Sequence, residues 1–274
     1  MSFTTADVVK LRKVSGAGMM DCKNALKDAE GDFERALEII REKGKLIANK
    51  RADRDAAEGV ALAKVNGDAT FGAIAVLNCE TDFVAKNESY VAFATKILDA
   101  ALENKVETLE ALKAIKLDGK SIEELVTEQT GVTGEKLELS YYKSLADAAV
   151  VPYIHPGNKL ATLVAFNKTT EEQVGKDVAM QIAAMNPVAV DKDSIPQTEI
   201  DKELEFAMEK YRKEGKPEAM LSKIAQGSLN KWYKDVTLLN QAYVKDNKMS
   251  IKDFLKSNDA ELTVSAFGRF SLNA

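Results

Sequence analysis

Histidine is almost missing: His155 is the only one in 274 residues. A zinc site of the HExxH type therefore cannot be built, and a Ser-His or Cys-His nucleophile pair would have to centre on that single imidazole. Cysteine is nearly as scarce, with Cys22 and Cys79 standing far apart and no CxxC pair. That spacing offers neither a disulfide framework nor a metal motif, so both are expected as reduced, buried thiols of a cytoplasmic protein. No apolar run approaches the roughly 20 residues of a membrane span. The opening "MSFTTADVVKLRK" has no signal-peptide core, and the early Asp7 argues against a transit peptide. Basic charge is in deficit as well, 38 Lys and Arg against 43 Asp and Glu, for a net charge of -5. A general attraction to nucleic acid or anionic membrane is not expected, and the expected partner is a protein or a small ligand.

What is present is apolar patterning of two kinds. Hydrophobic residues make up 45% of the chain, enough for one large core or two moderate ones. The pattern is helical first. A helix is predicted from about Thr5 to Val14; Gly16 and Gly18 then permit a tight turn. Met19, Cys22, Leu26 and Ala29 recur at helical spacing, which places Met19 in the core and leaves Met20 off the stripe. Asp32 caps a third helix with Phe33, Ala36, Leu37 and Ile40 on one face, ended by Gly44. The basic stretch "KGKLIANKRADRD" reads as a linker, with a domain boundary at Asp55.

From Glu58 the pattern becomes that of strands. "GVALAKV" and "FGAIAVLNC" flank Asn66-Gly67, a hairpin signal, and the helix from about Glu88 to Leu102 aligns Tyr90, Phe93, Ala94, Ile97, Leu98 and Ala101. Ser121 and Glu124 have capping-box spacing, and Leu137, Leu139 and Tyr141 alternate as a strand. A second hairpin is predicted around Pro156-Gly157-Asn158, followed by a helix with Val174, Val178, Ile182 and Met185 in line. The two units imply an α+β fold with two related halves. Ile200, Leu204, Met208 and Tyr211, then Met220, Leu221, Ile224 and Trp232, describe two antiparallel helices in a protruding coiled coil, with Gly215 as the stop and Pro217 in the next first turn. "ELTVSAFGRFSL" closes the chain as a strand. The expected divisions are 1–54, 55–140, 141–194 with 237–274, and 195–236 for the helical hairpin.

Catalytic signatures fail one by one. "DGKS" at 118–121 has the tail of a phosphate loop, but Ala114 occupies the position of its first glycine. "GAGMMD" follows no strand and puts Asp21 in the last glycine position of a dinucleotide fingerprint. Glu80 and Asp82 alternate on an extended segment and so share a face, compatible with an acid-base pair or a divalent ion, although two carboxylates alone rarely hold a metal. His155 sits in a loop without a conspicuous partner. No cofactor and no catalytic residue is assigned; a binding protein is favoured over an enzyme. Phe83, placed after a strand end and before a helix that supplies its own aromatics, is expected to face a partner.

Three motifs in order, "VVKLRKVSGAGMMDCKNAL", "NCETDFVAKNESY" and "AMQIAAMNPVAV", closely resemble the bacterial elongation factor Ts family, and the likeness continues through "EGKPEAMLSKIAQG" and "LLNQAYVKD". The resemblance implies a ubiquitin-associated-like three-helix domain, two α+β core subdomains and a coiled-coil hairpin. It also implies a guanine-nucleotide exchange factor acting on GDP-bound and nucleotide-free elongation factor Tu, with a dimer or a heterotetramer with Tu left open. The family signature falls on Thr81, Asp82, Phe83 and Val84, where the Phe enters an apolar pocket of the GTPase and the Asp helps displace the elements that hold magnesium and phosphate. The resemblance puts further contacts on Leu11, Arg12, Met19 and Met20, and on His155 and Gly157. Members often continue past the last strand with a glycine-acid stretch such as GEG, where this sequence has "FGRFSLNA", a departure from the family pattern. Two rivals remain at this stage: an adaptor working through the N-terminal helices, and a magnesium-dependent phosphoryl enzyme using Glu80 and Asp82.

Overall fold

The computed structural model describes residues 3–273. In chain order the elements are α1 (Thr5–Ser15), α2 (Met19–Asp28), α3 (Phe33–Lys50), β1 (Glu58–Val65), β2 (Phe71–Cys79), α4 (Asp82–Ala85), α5 (Glu88–Glu103) and α6 (Leu109–Ala114). They continue with β3 (Lys116–Leu117), β4 (Lys120–Ser121), α7 (Ile122–Thr133), β5 (Glu138–Ala146), β6 (Ala149–Ile154), β7 (Leu160–Phe166) and α8 (Glu172–Met185). The last are α9 (Gln197–Lys213), α10 (Glu218–Val236), β8 (Ala242–Tyr243), β9 (Asp246–Ser250), α11 (Ile251–Asn258) and β10 (Val264–Ser271). Among the described residues no helix is long and apolar enough to cross a membrane.

The α+β class holds, and its two halves are two antiparallel sheets, ordered β1-β2-β5 and β10-β7-β6. Alternation along each strand sorts the side chains. Val60, Leu62, Ala73, Ala75 and Leu77 face α5, α6 and α7, whereas Ala61, Ala63, Ile74 and Val76 turn the other way to meet Val150, Ala161, Leu163 and Ala165 of the second sheet. The opposite face of the second sheet, Val164 and Phe166, packs on Val174, Val178 and Ile182 of α8 and on Ile251 and Leu255 of α11. The core is thus helix, sheet, sheet, helix. Both central strands are buried on both faces, which is why their sequences are continuous apolar runs. Gly72 makes the sheet contact possible, because a Cβ there would lie 2.8–2.9 Å from Val65, Leu163 and Val150.

The first hairpin forms as expected. Its turn is closed by Asn66 Oδ1, which accepts from the backbone N–H of Thr70 and Phe71, and Ala69 takes the left-handed conformation at φ 55°. The second turn follows its sequence closely. Pro156 precedes Gly157 at φ 93°, and Asn158 N–H donates to the His155 carbonyl at 3.0 Å, a type II arrangement. The expected division at residues 140 and 141 falls inside β5, which stays in the first sheet through Ala146.

The stretch expected as a linker is helix as far as Lys50. Asp32 does cap α3, accepting from Arg35 N–H, but the helix runs through Gly44 to Lys50. Gly44 is buried where α3 crosses α7, and a Cβ on Gly131 of α7 would come within 2.3 Å of the Gly44 Cα. A glycine thus marks a close helix contact here, not a helix end, and it fixes the three N-terminal helices against the first half of the core. Met19, the first residue of α2, is exposed (41%) against the expectation of burial, while Ala17 and Cys22 on either side of it are buried in the helical core. Met185 and Met220 are exposed likewise. α9 and α10 form the expected helical hairpin, packed through Ala207, Leu221, Ala225 and Leu229, with Gly215 at φ 78° beyond α9 and Pro217 capping α10 just ahead of its first turn. Its base is closed by Val188 N–H donating to the Val236 carbonyl and Leu238 N–H to that of Ala189.

Candidate partner interface

The turn after β2 is built by its own backbone. Thr81 caps α4, a single turn of four residues, with its Oγ1 accepting from Val84 N–H; Ala85 N–H donates to the Thr81 carbonyl and Lys86 N–H to that of Asp82. Ala85 is buried and Val84 packs on the core of the first half. With those two side chains turned inward, the helical step sends Phe83 outward, 83% exposed. A benzyl group so placed adds nothing to the core.

The two carboxylates beside it diverge. Asp82 accepts from Lys86 Nζ at 2.6 Å, and that bond, with the charges of Lys86 and Lys159, holds its carboxyl below the usual range. Glu80 turns inward, accepting from Lys136 N–H at 2.6 Å and from Arg51 Nη1 at 2.7 and 2.8 Å, and the backbone bond and then the guanidinium lower its pKa. The expectation that the pair shares a face fails because α4 begins between them. Among the described residues no group of three or more His, Cys, Asp or Glu side chains converges as a metal site. Cys79 is buried beneath the turn; burial pushes its thiol up to about 11, so it stays protonated.

The loop at His155 and Gly157 lies against the same edge of the first sheet. Asn158 carbonyl accepts from Ala61 N–H at 2.7 Å, and Lys159 reaches Glu58, which pairs with Cys79 across the β1–β2 ladder. His155 is exposed and has a partner that its sequence did not reveal: Tyr153 Oη, 2.9 Å from Nδ1. Beside it runs a groove of about 360 Å³, lined by Leu160, Met180 and Val244.

At the N-terminal helices, Arg12 is exposed and Met20 is the most exposed methionine among the described residues, at 64%. Leu11 reaches no surface. It is fully buried at the centre of the three helices, where it holds α1 in place. Asp21, next to Met20, pairs with Lys43 of α3, about 12 Å of helix rise before Arg51. Sequence reasoning missed Arg51, which lay in the supposed linker, and Glu135, which accepts from Thr81 N–H and Oγ1 across 54 residues of chain.

The structure is thus an α+β protein that holds an exposed aromatic on a fixed one-turn helix beside a loop of the other half. Comparison with known proteins gives its family. The family model described as "Elongation factor TS" matches residues 80–274. The chain is 52% identical over 275 residues to elongation factor Ts of Porphyromonas gingivalis, covering all of both chains, and 52% identical over 271 residues to that of Christiangramia forsetii, covering 98% of each. It is 43% identical over 331 residues to the elongation factor Ts of Bacteroides fragilis, again covering both chains fully. The chain belongs to the elongation factor Ts family of translation elongation factors.

Proposed function

We infer that this protein is the guanine-nucleotide exchange factor for elongation factor Tu, working in the cytoplasm, and that Phe83 is its anchor. The observation that carries the reading is a Phe exposed at 83% on a backbone turn whose neighbours Val84 and Ala85 are tied into the core. Its insertion into an apolar pocket of the GTPase would bury the ring, worth about 1.5–3 kcal/mol. Since each 1.4 kcal/mol is about tenfold, Phe83 alone weakens nucleotide binding by about 10 to 100-fold. The rest comes from flanking contacts: Asp82 with Thr81 and Val84, Arg12, Met19 and Met20 on the N-terminal helices, and His155 with Gly157 on the second half.

Binding the nucleotide-free GTPase more tightly than the GDP-bound form obliges the factor to weaken GDP binding by the same ratio. Asp82, kept ionised by Lys86, adds negative charge that competes with the phosphates for the magnesium site. No covalent bond is made or broken, so the protein is an exchange factor and not an enzyme of chemical transformation. The three N-terminal helices are read as the ubiquitin-associated-like domain of the family, and the α9–α10 hairpin as its coiled coil. Their close seating on α7 through Gly44 and Gly131 speaks against an adaptor acting through these helices alone.

Release of a fluorescent GDP analogue from Tu tests the reading. Acceleration by the wild-type protein and a loss of about 10 to 100-fold for Phe83→Ala, with an unchanged melting temperature, are the expected results. A wild-type protein that leaves the release rate unaltered would overturn it.

A further inference from the structure

Phe83 is 83% exposed and outside the hydrophobic clusters, so its direction is set by the backbone of residues 80–85. That backbone lies past the end of the sheet. The β2–β5 ladder stops at Asn78 opposite Glu138, and the β1–β2 ladder at Cys79 opposite Glu58, so the amide of Thr81 has no strand to donate to. Side chains take over. Glu135 accepts from Thr81 N–H at 3.0 Å with one oxygen and from Thr81 Oγ1 at 2.6 Å with the other. In return Glu80 accepts from Lys136 N–H at 2.6 Å. Each segment lends its carboxylate to the other's backbone, and the pair continues the β2–β5 ladder by side chains. The turn that carries Glu135 is itself fixed, by Gly134 at φ 72° closing α7 and by Thr133 Oγ1, which accepts from Glu135 N–H. Arg51, at the C-terminal cap of α3, fastens the N-terminal helices to the same point through Glu80.

We propose that Glu80 and Glu135 form a reciprocal clamp that presents Phe83 in one orientation, and that Arg51 makes the N-terminal helices part of it. This rests on the reading of Phe83 as the anchor. Glu80 and Glu135 are positioning residues: they act on the partner only through the turn they hold. A clamped turn has already lost the freedom it would otherwise lose on docking, so removing the clamp weakens association without removing a contact. Of the two carboxylates Glu135 matters more to the turn, because it holds Thr81 at two atoms, while Glu80 keeps the Lys136 amide even when Arg51 is lost.

The test uses the full chain, with amide hydrogen exchange and GDP release from Tu as separate readouts. In Glu135→Ala the amides of Thr81, Val84 and Ala85 exchange about tenfold faster or more, while those in the middle of β2 are unchanged. The second-order rate of GDP release falls about tenfold, and in a Phe83→Ala background the same change costs less than about twofold, because the two act through one contact. Arg51→Ala gives a smaller loss in the same direction. Should Glu135→Ala fail to fold, Glu135→Gln and Glu80→Gln carry the same readouts, with partial losses expected. Unchanged exchange at Thr81, or losses that multiply with that of Phe83→Ala, would overturn the clamp. If the wild-type protein does not accelerate GDP release at all, the functional reading falls, and the exchange data still decide whether the clamp orders the turn.

Discussion

The two halves of the core use one building unit for different ends. In each, a hairpin packs a helix on its outer face, β1 and β2 with α5, β6 and β7 with α8. They differ at the passage from strand to helix. After β2 the chain makes an extra helical turn and leaves Phe83 exposed. After β7 it is tied down at once: Asn167 donates to the Glu261 carbonyl and accepts from Thr263 N–H, so the corresponding junction is stitched to the loop before β10. The second half is instead open at its hairpin loop, where His155 and Gly157 stand exposed and Asn158 leans on β1. The shared unit supplies a scaffold, and the exposed groups proposed to meet the partner sit where each copy departs from it.

If the halves are one structure, damage between their sheets should reach both. Leu163 is fully buried at that boundary, and Leu163→Ala is expected to cost about 2–5 kcal/mol. Calorimetry should show both halves of the core melting together at a lower temperature; a second transition left at its original temperature would show that they are independent. A smaller change tests the seating of the N-terminal helices. Gly131→Ala would place a methyl within 2.3 Å of the Gly44 backbone, a strain of about 1–3 kcal/mol that α3 escapes by lifting off α7. Faster protease cleavage near residues 51–55, with the sheets still protected, is the expected sign. Unchanged cleavage would mean that α3 is held chiefly elsewhere.

How much of this was legible in the sequence depended on the range of the interaction. Local signals were read correctly: the caps at Asp32 and Ser121, the hairpins, the Pro-Gly turn before Asn158 and the exposure of Phe83. The face-to-face packing of the sheets was implied by "FGAIAVLNC" and "LATLVAF", runs too uniformly apolar for strands with a wet face, but such runs do not name what covers them. Gly44 misled because a helix end and a close helix crossing both call for glycine, and only Gly131, distant in sequence, tells them apart. Glu135 carried no signal at all. A lone glutamate 54 residues from Thr81 reaches the turn of Phe83 only when β5 returns beside β2.

The contrast between the halves is sharpened by the buried charge of the second. Asp177 of α8 accepts from Gln173 Nε2, from Tyr243 Oη at 2.5 Å and from Lys245 Nζ at 2.7 Å. Burial works against its ionisation, yet the three donors outweigh burial and hold its carboxyl below the usual range. A group whose folded pKa is depressed stabilises the fold above its unfolded value, about 3.9, and that contribution is lost as the pH falls through the still lower folded value. Tyr243→Phe removes one donor and keeps the ring stacked on Phe254, so it should cost about 1 kcal/mol at neutral pH. The difference from the wild type should shrink below about pH 4, where the carboxylate is protonated in both unfolded chains. Equal stabilities at pH 7, or a gap that widens in acid, would show that the tyrosine serves the aromatic stack and not the charge. The clamp of the first half has its own bonded carboxylate in Glu80, so the two halves can be separated by variant: Tyr243→Phe should leave amide exchange at Thr81 as it is.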